Sequence, residues 1–222
     1  MRMILMKKFA ENLKRCHWGW FIILWSFLQI FMIWYHQTFI LTYDSLEETL
    51  GNRFSPVQID LYFTILQDVT YKIYFLLPVM ILIRAVIMAL IIHLFLLLRN
   101  QYTSLKTLIW VTSLNFGIFV VRDIVQIVMV YRADMTASNG VDRIYMPLSL
   151  MSVPGLHVNP GFIRLFNQIN LFEIIWFCFS IFFISALTQK SPGKICFPIL
   201  SARVFVIICL WGLGVFYEIY ML

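Results

Sequence analysis

Charge is scarce in this chain: Asp, Glu, Lys and Arg make up 13% of 222 residues, against 61% hydrophobic ones. That shortage excludes a water-soluble globular domain, which could not hide so much apolar surface. Cysteine is sparse too, with Cys16, Cys178, Cys196 and Cys209 showing no C-x-x-C spacing, so neither a disulfide framework nor a zinc site is expected. Catalytic signatures are missing. H-E-x-x-H, G-x-S-x-G, a P-loop and G-x-G-x-x-G do not occur, which leaves metalloproteolysis, serine-nucleophile chemistry and nucleotide chemistry without their residues. Paired aspartates in facing spans are absent, and His157 and Asn159 lack a nucleophile and an orienting acid at useful spacing. The sequence therefore reads as a non-enzyme with no cofactor and no metal. The net charge of +6 does not point to nucleic acid, because the basic residues flank apolar runs instead of alternating with exposed aromatics.

What is present is long apolar runs, with a mean hydropathy of +0.85. A spanning helix needs about 20 mostly apolar residues, and five stretches qualify: 18–41, 73–98, 107–131, 168–188 and 195–220. The expected fold is an all-α polytopic membrane bundle. The first span follows Lys7, Lys8, Lys14 and Arg15 as a signal peptide would, but it is longer and has no small-residue cleavage site, so it reads as an uncleaved anchor. With the N-terminus inside, the inner segments hold Arg2, Lys7, Lys8, Lys14, Arg15, Arg99, Lys106, Lys190, Lys194 and Arg203 against Glu11. The outer ones hold Asp44, Glu47, Glu48, Asp60, Asp68, Asp134 and Asp142 against Arg53, Lys72, Arg132, Arg143 and Arg164. This asymmetry predicts N-in/C-out topology in an inner (cytoplasmic) membrane. Trp18, Trp20, Trp34, Tyr35, Tyr71, Tyr102, Tyr131 and Tyr220 fall near the span ends, where amphipathic rings suit the headgroup region.

The organisation expected is a cytoplasmic amphipathic segment, 1–16, followed by one five-helix transmembrane domain, 17–222, with extracytoplasmic loops 42–72 and 132–167. Leu5, Phe9 and Leu13 recur at helical spacing in the first segment, which fits either a helix lying on the inner surface or a plain positive flank. Ser55-Pro-Val-Gln58 supplies an N-cap, a proline at N1 and a capping-box partner, so a helix is expected to start there, outside the membrane, and either stops short of the second span or leads into it. Pro78 is expected to kink that span. The second loop is apolar from Ile144 to Leu156, so it either packs against the bundle or rests on the bilayer surface.

Ionisable residues inside spans are costly and therefore informative. Arg84 lies in the second span, Arg122 and Asp123 in the third and Glu173 in the fourth, each roughly 20–25 Å from the cytoplasmic end at 1.5 Å per residue. Asn115, Arg122 and Gln126 form a polar stripe along the third helix, while Asp123 points about 100° away. Pairing Asp123 with Arg84 and Arg122 with Glu173 would clamp spans two, three and four. Such a cluster serves either as a neutral knot that fixes helix register or as an ion relay or headgroup pocket. His93 sits near the inner end of the second span as a packing or interfacial residue, and Glu218 lies near the outer mouth.

Two stretches carry a resemblance. Asn100-Gln-Tyr-Thr-Ser-Leu-Lys-Thr-Leu-Ile109 opens a span, and Asn167-Gln-Ile-Asn-Leu-Phe-Glu-Ile-Ile-Trp176 opens another that ends in a short basic turn before a final span. Over roughly residues 73–222 this resembles the bacterial branch of the Yip1-domain family. The resemblance implies a five-span bundle with a cytoplasmic N-terminus, matching the topology read from charge. Trafficking members of that family associate with small GTPases, but the chain lacks their long polar N-terminal region and D-L-x-G-P-like stretch, so that partner is not implied. Some bacterial relatives resemble accessory subunits of exporters.

Together these features lead to an expected non-catalytic accessory or scaffold subunit of a larger membrane assembly, an export or envelope system, in contact with lipid and with one or more membrane-protein partners. The alternative is a small transporter or lipid-handling protein that uses Arg84, Asn115, Arg122, Asp123, Gln126 and Glu173 as its site.

Overall fold

Local start and stop signals place the helices before any packing does. In the computed structural model, which describes residues 17–39, 41–51, 54–132, 149 and 160–221, seven helices follow one another: α1 Trp18–Phe39, α2 Tyr43–Leu50, α3 Pro56–Leu98, α4 Leu105–Arg132, α5 Pro160–Gln168, α6 Leu171–Thr188 and α7 Pro192–Met221. Thr42 caps α2 by accepting from the Ser45 amide at 3.3 Å. Ser55 and Gln58 form the expected capping box at the start of α3: the Ser55 amide donates to Gln58 Oε1 at 2.9 Å and the Gln58 amide to Ser55 Oγ at 3.4 Å. Asn170 caps α6 by accepting from the Glu173 amide at 3.1 Å. Asn100 and Gln189 take left-handed backbone conformations, φ 53 and 58, just past the ends of α3 and α6, where such a residue closes the last turn.

Five of the helices, α1, α3, α4, α6 and α7, are long and apolar enough to cross a membrane, and no strand occurs among the described residues. The protein is thus all-α with multi-pass membrane architecture. The helices cover the five expected spans with shifts of a few residues at most termini. The exception is the second, whose helix begins at Pro56 and runs on unbroken through Pro78. The segment expected as a loop over 42–72 is accordingly helical in large part. Residues 1–16 and most of 132–167, including the apolar stretch 144–156 apart from Ser149, lie outside the described residues, as do His157 and Asn159.

The chain divides into two compact units, with the break inside α3 between Arg84 and Ala85. The first, Gly19–Arg84, contains α1, α2 and the N-terminal part of α3. Its interior is made by Ile22, Leu46, Ile59, Leu77 and Ile81. Tyr43 meets Phe63 edge-on at 5.9 Å, seating α2 on α3, and Gln37 Nε2 donates to Thr70 Oγ1, tying the C-terminal end of α1 to α3. Much of the remaining surface is apolar and exposed, with Trp20, Phe27 and Phe75 among the most open side chains, as a lipid-facing helix requires.

The second unit holds the rest of α3 with α4 to α7. Here α4 packs on α6, α6 on α7, and α5 on α7. Ala85 and Ala89 are buried on α3, and the Thr112 hydroxyl of α4 reaches that helix, donating to the Ala85 carbonyl at 3.0 Å or to Leu108 within its own helix at 2.9 Å. Small residues with a buried hydroxyl are what bring helices together in lipid, where hydrophobicity supplies no drive. Ile92, Leu96, Leu108, Val111, Ile184, Ile195, Ile199 and Ala202 are fully buried in this unit. At one end of the unit, Lys190 Nζ donates to the Tyr102 carbonyl at 2.5 Å and Arg99 stacks over Phe197 at 4.3 Å. The two short turns carrying Arg99, Lys106, Lys190 and Lys194 therefore share that end.

Candidate functional site: a neutralised cluster within the membrane

The cluster is built where α4, α6 and α7 meet. Glu173 occupies the first turn of α6, where the positive end of the helix dipole favours a carboxylate. Arg203 of α7 reaches it with two hydrogen bonds, Nε to Oε2 at 2.6 Å and Nη2 to Oε1. Both side chains are largely buried, at 17% and 11% exposure. On α4, Arg122 folds back onto its neighbour Asp123, with Nε at 2.8 Å and Nη2 at 2.6 Å from Oδ1. The expected pairings of Asp123 with Arg84 and of Arg122 with Glu173 are thus replaced: Asp123 takes Arg122, and Glu173 takes Arg203. Adjacent helical positions diverge by about 100°, but the arginine side chain is long enough to close that gap.

Aromatic rings complete the assembly. Phe119 and Trp176 stack at 6.4 Å with an interplanar angle of 23°. The Arg203 guanidinium lies 5.3 Å from the Trp176 ring and 5.5 Å from Phe119, and Arg122 lies 5.3 Å from the same Phe119. Phe119 is therefore shared by both cations, joining two ion pairs into one unit. Cation–π contacts of this kind gain strength when water is removed. Among the described residues two arginines face two carboxylates, so the two pairs together carry no net charge.

Deeper along α4, the buried Asn115 donates from Nδ2 to Ser180 Oγ of α6 at 2.8 Å, while its Oδ1 has no partner among the described residues. Ser180→Ala is expected to lower stability by roughly 0.6–1.7 kcal/mol, the span measured for interhelical hydrogen bonds in a membrane, read by unfolding in detergent; an unchanged midpoint would count against that bond. Gln126 is half-buried and makes no side-chain hydrogen bond among the described residues. Of the expected stripe, Asn115 and Arg122 bind α6 or the cluster and Gln126 does not. Arg84 belongs to the other unit, with its side chain exposed. His93 is half-buried, and its Nδ1 has no partner among the described residues. Glu218 lies among residues whose side chains are not described.

Arg203 was missed as a cluster member because it was counted with the basic inner segments beside Lys190 and Lys194. Its place inside the span 195–220 was the available signal: α7 begins at Pro192, so Arg203 has already risen about 16 Å. Phe119 and Trp176 had no signal in a chain with 21 Phe and 7 Trp.

Comparison with protein-family models, curated proteins and solved structures found no match to this chain. Its class therefore rests on fold and site: a multi-pass α-helical membrane protein with an internally paired charge cluster where three of its helices meet.

Proposed function

We propose that the chain is a non-catalytic accessory or scaffold subunit of a larger membrane assembly, with its N-terminus inside and its C-terminus outside. The observation that carries this reading is the neutral pairing of Arg122 with Asp123 and Glu173 with Arg203 under Phe119 and Trp176. Each acid is held by an arginine, and the shared rings tie the two pairs to one another, so the cluster serves to lock α4, α6 and α7 together. The gathering of Arg99, Lys106, Lys190 and Lys194 at one end supports that end being cytoplasmic. The resemblance to the bacterial Yip1-domain branch points the same way, as do the wide apolar faces of α1 and α3.

The test is extraction of the tagged chain from its native membrane in a mild detergent, followed by sizing and mass spectrometry. A defined membrane protein should co-purify at fixed stoichiometry; recovery of the chain alone, folded and monodisperse, would reject the reading. A second reading, a small transporter or lipid-handling protein, is favoured by Arg84, an exposed arginine within an apolar span. Under that reading Arg84→Leu would abolish transport or lipid binding by the isolated chain reconstituted in vesicles.

A further inference from the structure

The length of α3 sets a limit that the bilayer cannot meet. Its 43 residues extend about 65 Å, against roughly 30 Å of hydrocarbon and 40–45 Å with the headgroups. A level is marked by α1, whose 22 residues make about 33 Å, one bilayer core. Gln37, near the C-terminal end of α1, binds Thr70 of α3. The part of α3 before Thr70 therefore stands beyond the membrane surface, about 20 Å of helix with α2 seated on it.

That projection has two unlike faces. One carries Ile59 and Phe63 and is covered by α2 through Leu46 and Tyr43. The other presents Val57, Leu61 and Ile65 at successive i, i+4 positions, flanked by Phe54 and Tyr62, with exposures of 78%, 61%, 51%, 48% and 49%. Lipid explains exposed apolar residues along a span but not in water, where a contiguous patch of this kind marks an interaction surface. The surroundings are acidic. Residues 42–72 contain Asp44, Glu47, Glu48 and Asp60 against Arg53, with Asp68 and Lys72 paired to each other at 2.6 Å. A second copy of the chain would bring two acidic sets together, so self-association is opposed by charge.

We propose that this projecting face of α3, in a net-acidic segment of the chain, docks an amphipathic helix of a partner protein whose apolar stripe is rimmed by Lys or Arg. Leu61 and Ile65 are the anchors, and the carboxylates steer and orient the helix. The inference rests on the accessory-subunit reading and names the chemistry of the partner.

The probes are an amphipathic Leu/Lys helix of about 18 residues, long enough to be helical when bound, and its Leu/Glu twin. They are titrated against the full chain in nanodiscs of phosphatidylcholine, with empty discs alongside. The Leu/Lys peptide should bind chain-containing discs at least about tenfold more tightly than empty ones and weaken as salt rises. Leu61→Ser with Ile65→Ser should return binding to the empty-disc level. Glu47→Lys with Glu48→Lys, which leaves the apolar stripe intact, should weaken it several-fold. Helix content by circular dichroism confirms that each variant folds. Equal binding by the Leu/Glu peptide, undiminished binding by the serine variant, or dimers of the chain cross-linked through Leu61→Cys would overturn the proposal. The native complex separates the two levels: if the partner still co-purifies with the serine variant, the docking face is wrong and the accessory reading stands, whereas a wild-type chain that purifies alone removes the accessory reading itself.

Discussion

Glu173→Ala is expected to destabilise the protein by about 3–5 kcal/mol, the usual result of removing one partner from a buried ion pair. Arg203 would be left charged, with its side chain only 17% exposed, and its two stacking rings replace little of what a bidentate carboxylate provides. The measurement is equilibrium unfolding in detergent micelles, followed by near-ultraviolet circular dichroism, because the packed aromatics report directly on the cluster. A loss below about 1 kcal/mol, the range of surface ion pairs, would mean that water reaches the pair. Replacing both partners, Glu173→Leu with Arg203→Met, should restore most of the stability, since well-packed apolar residues of similar volume often match or exceed a buried pair. A double variant as unstable as Glu173→Ala would show instead that helix register depends on the charges themselves.

Trp176→Ala is the second large effect, at about 3–5 kcal/mol. Trp176 is 2% exposed and touches both Phe119 and Arg203, so truncation opens a cavity and removes one ring from the guanidinium. Trp176→Phe keeps a ring in place and should lose less than half as much. Because Trp176 and Glu173 act on the same arginine, the two losses should not add, and a double-mutant cycle should give a coupling of roughly 0.5–3 kcal/mol. Strict additivity would indicate that the ring and the ion pair are independent.

The extent to which the sequence foretold this arrangement differs between fold and site. Helices in lipid must satisfy their backbone internally, so a run of about 20 apolar residues is close to a direct statement of a span, and all five were legible. So was the start of α3, because Ser55 and Gln58 cap it through bonds that reach only three residues along the chain. That the same helix would run unbroken to Leu98 was left open, since an acidic, half-polar stretch such as 56–72 fits a loop as well as a projecting helix.

That charged residues fall within long apolar helices was also legible, but their pairing was not. The first depends on position in the chain, whereas pairing depends on how each helix is rotated and on side-chain reach. Arg122 turns to Asp123 with no change in helix position, and Arg203, inside the span 195–220, meets Glu173 because α7 packs against α6. Phe119 and Trp176 act through shape, which an aromatic-rich sequence does not single out.

The pairings bear on biogenesis. Arg122 and Asp123 are consecutive residues, so α4 can enter the translocon already carrying its own counter-ion. Glu173 and Arg203 sit on consecutive helices joined by a turn of three residues, 189–191, and can cancel within a single helical hairpin as it leaves the channel. At the middle of a helix, an unpaired Asp or Arg opposes insertion by roughly 2.5–3.5 kcal/mol. Each charge thus finds its partner within its own helix or in the next one synthesised, so that α4 alone and the α6–α7 pair are the units whose charges cancel before the bundle is complete.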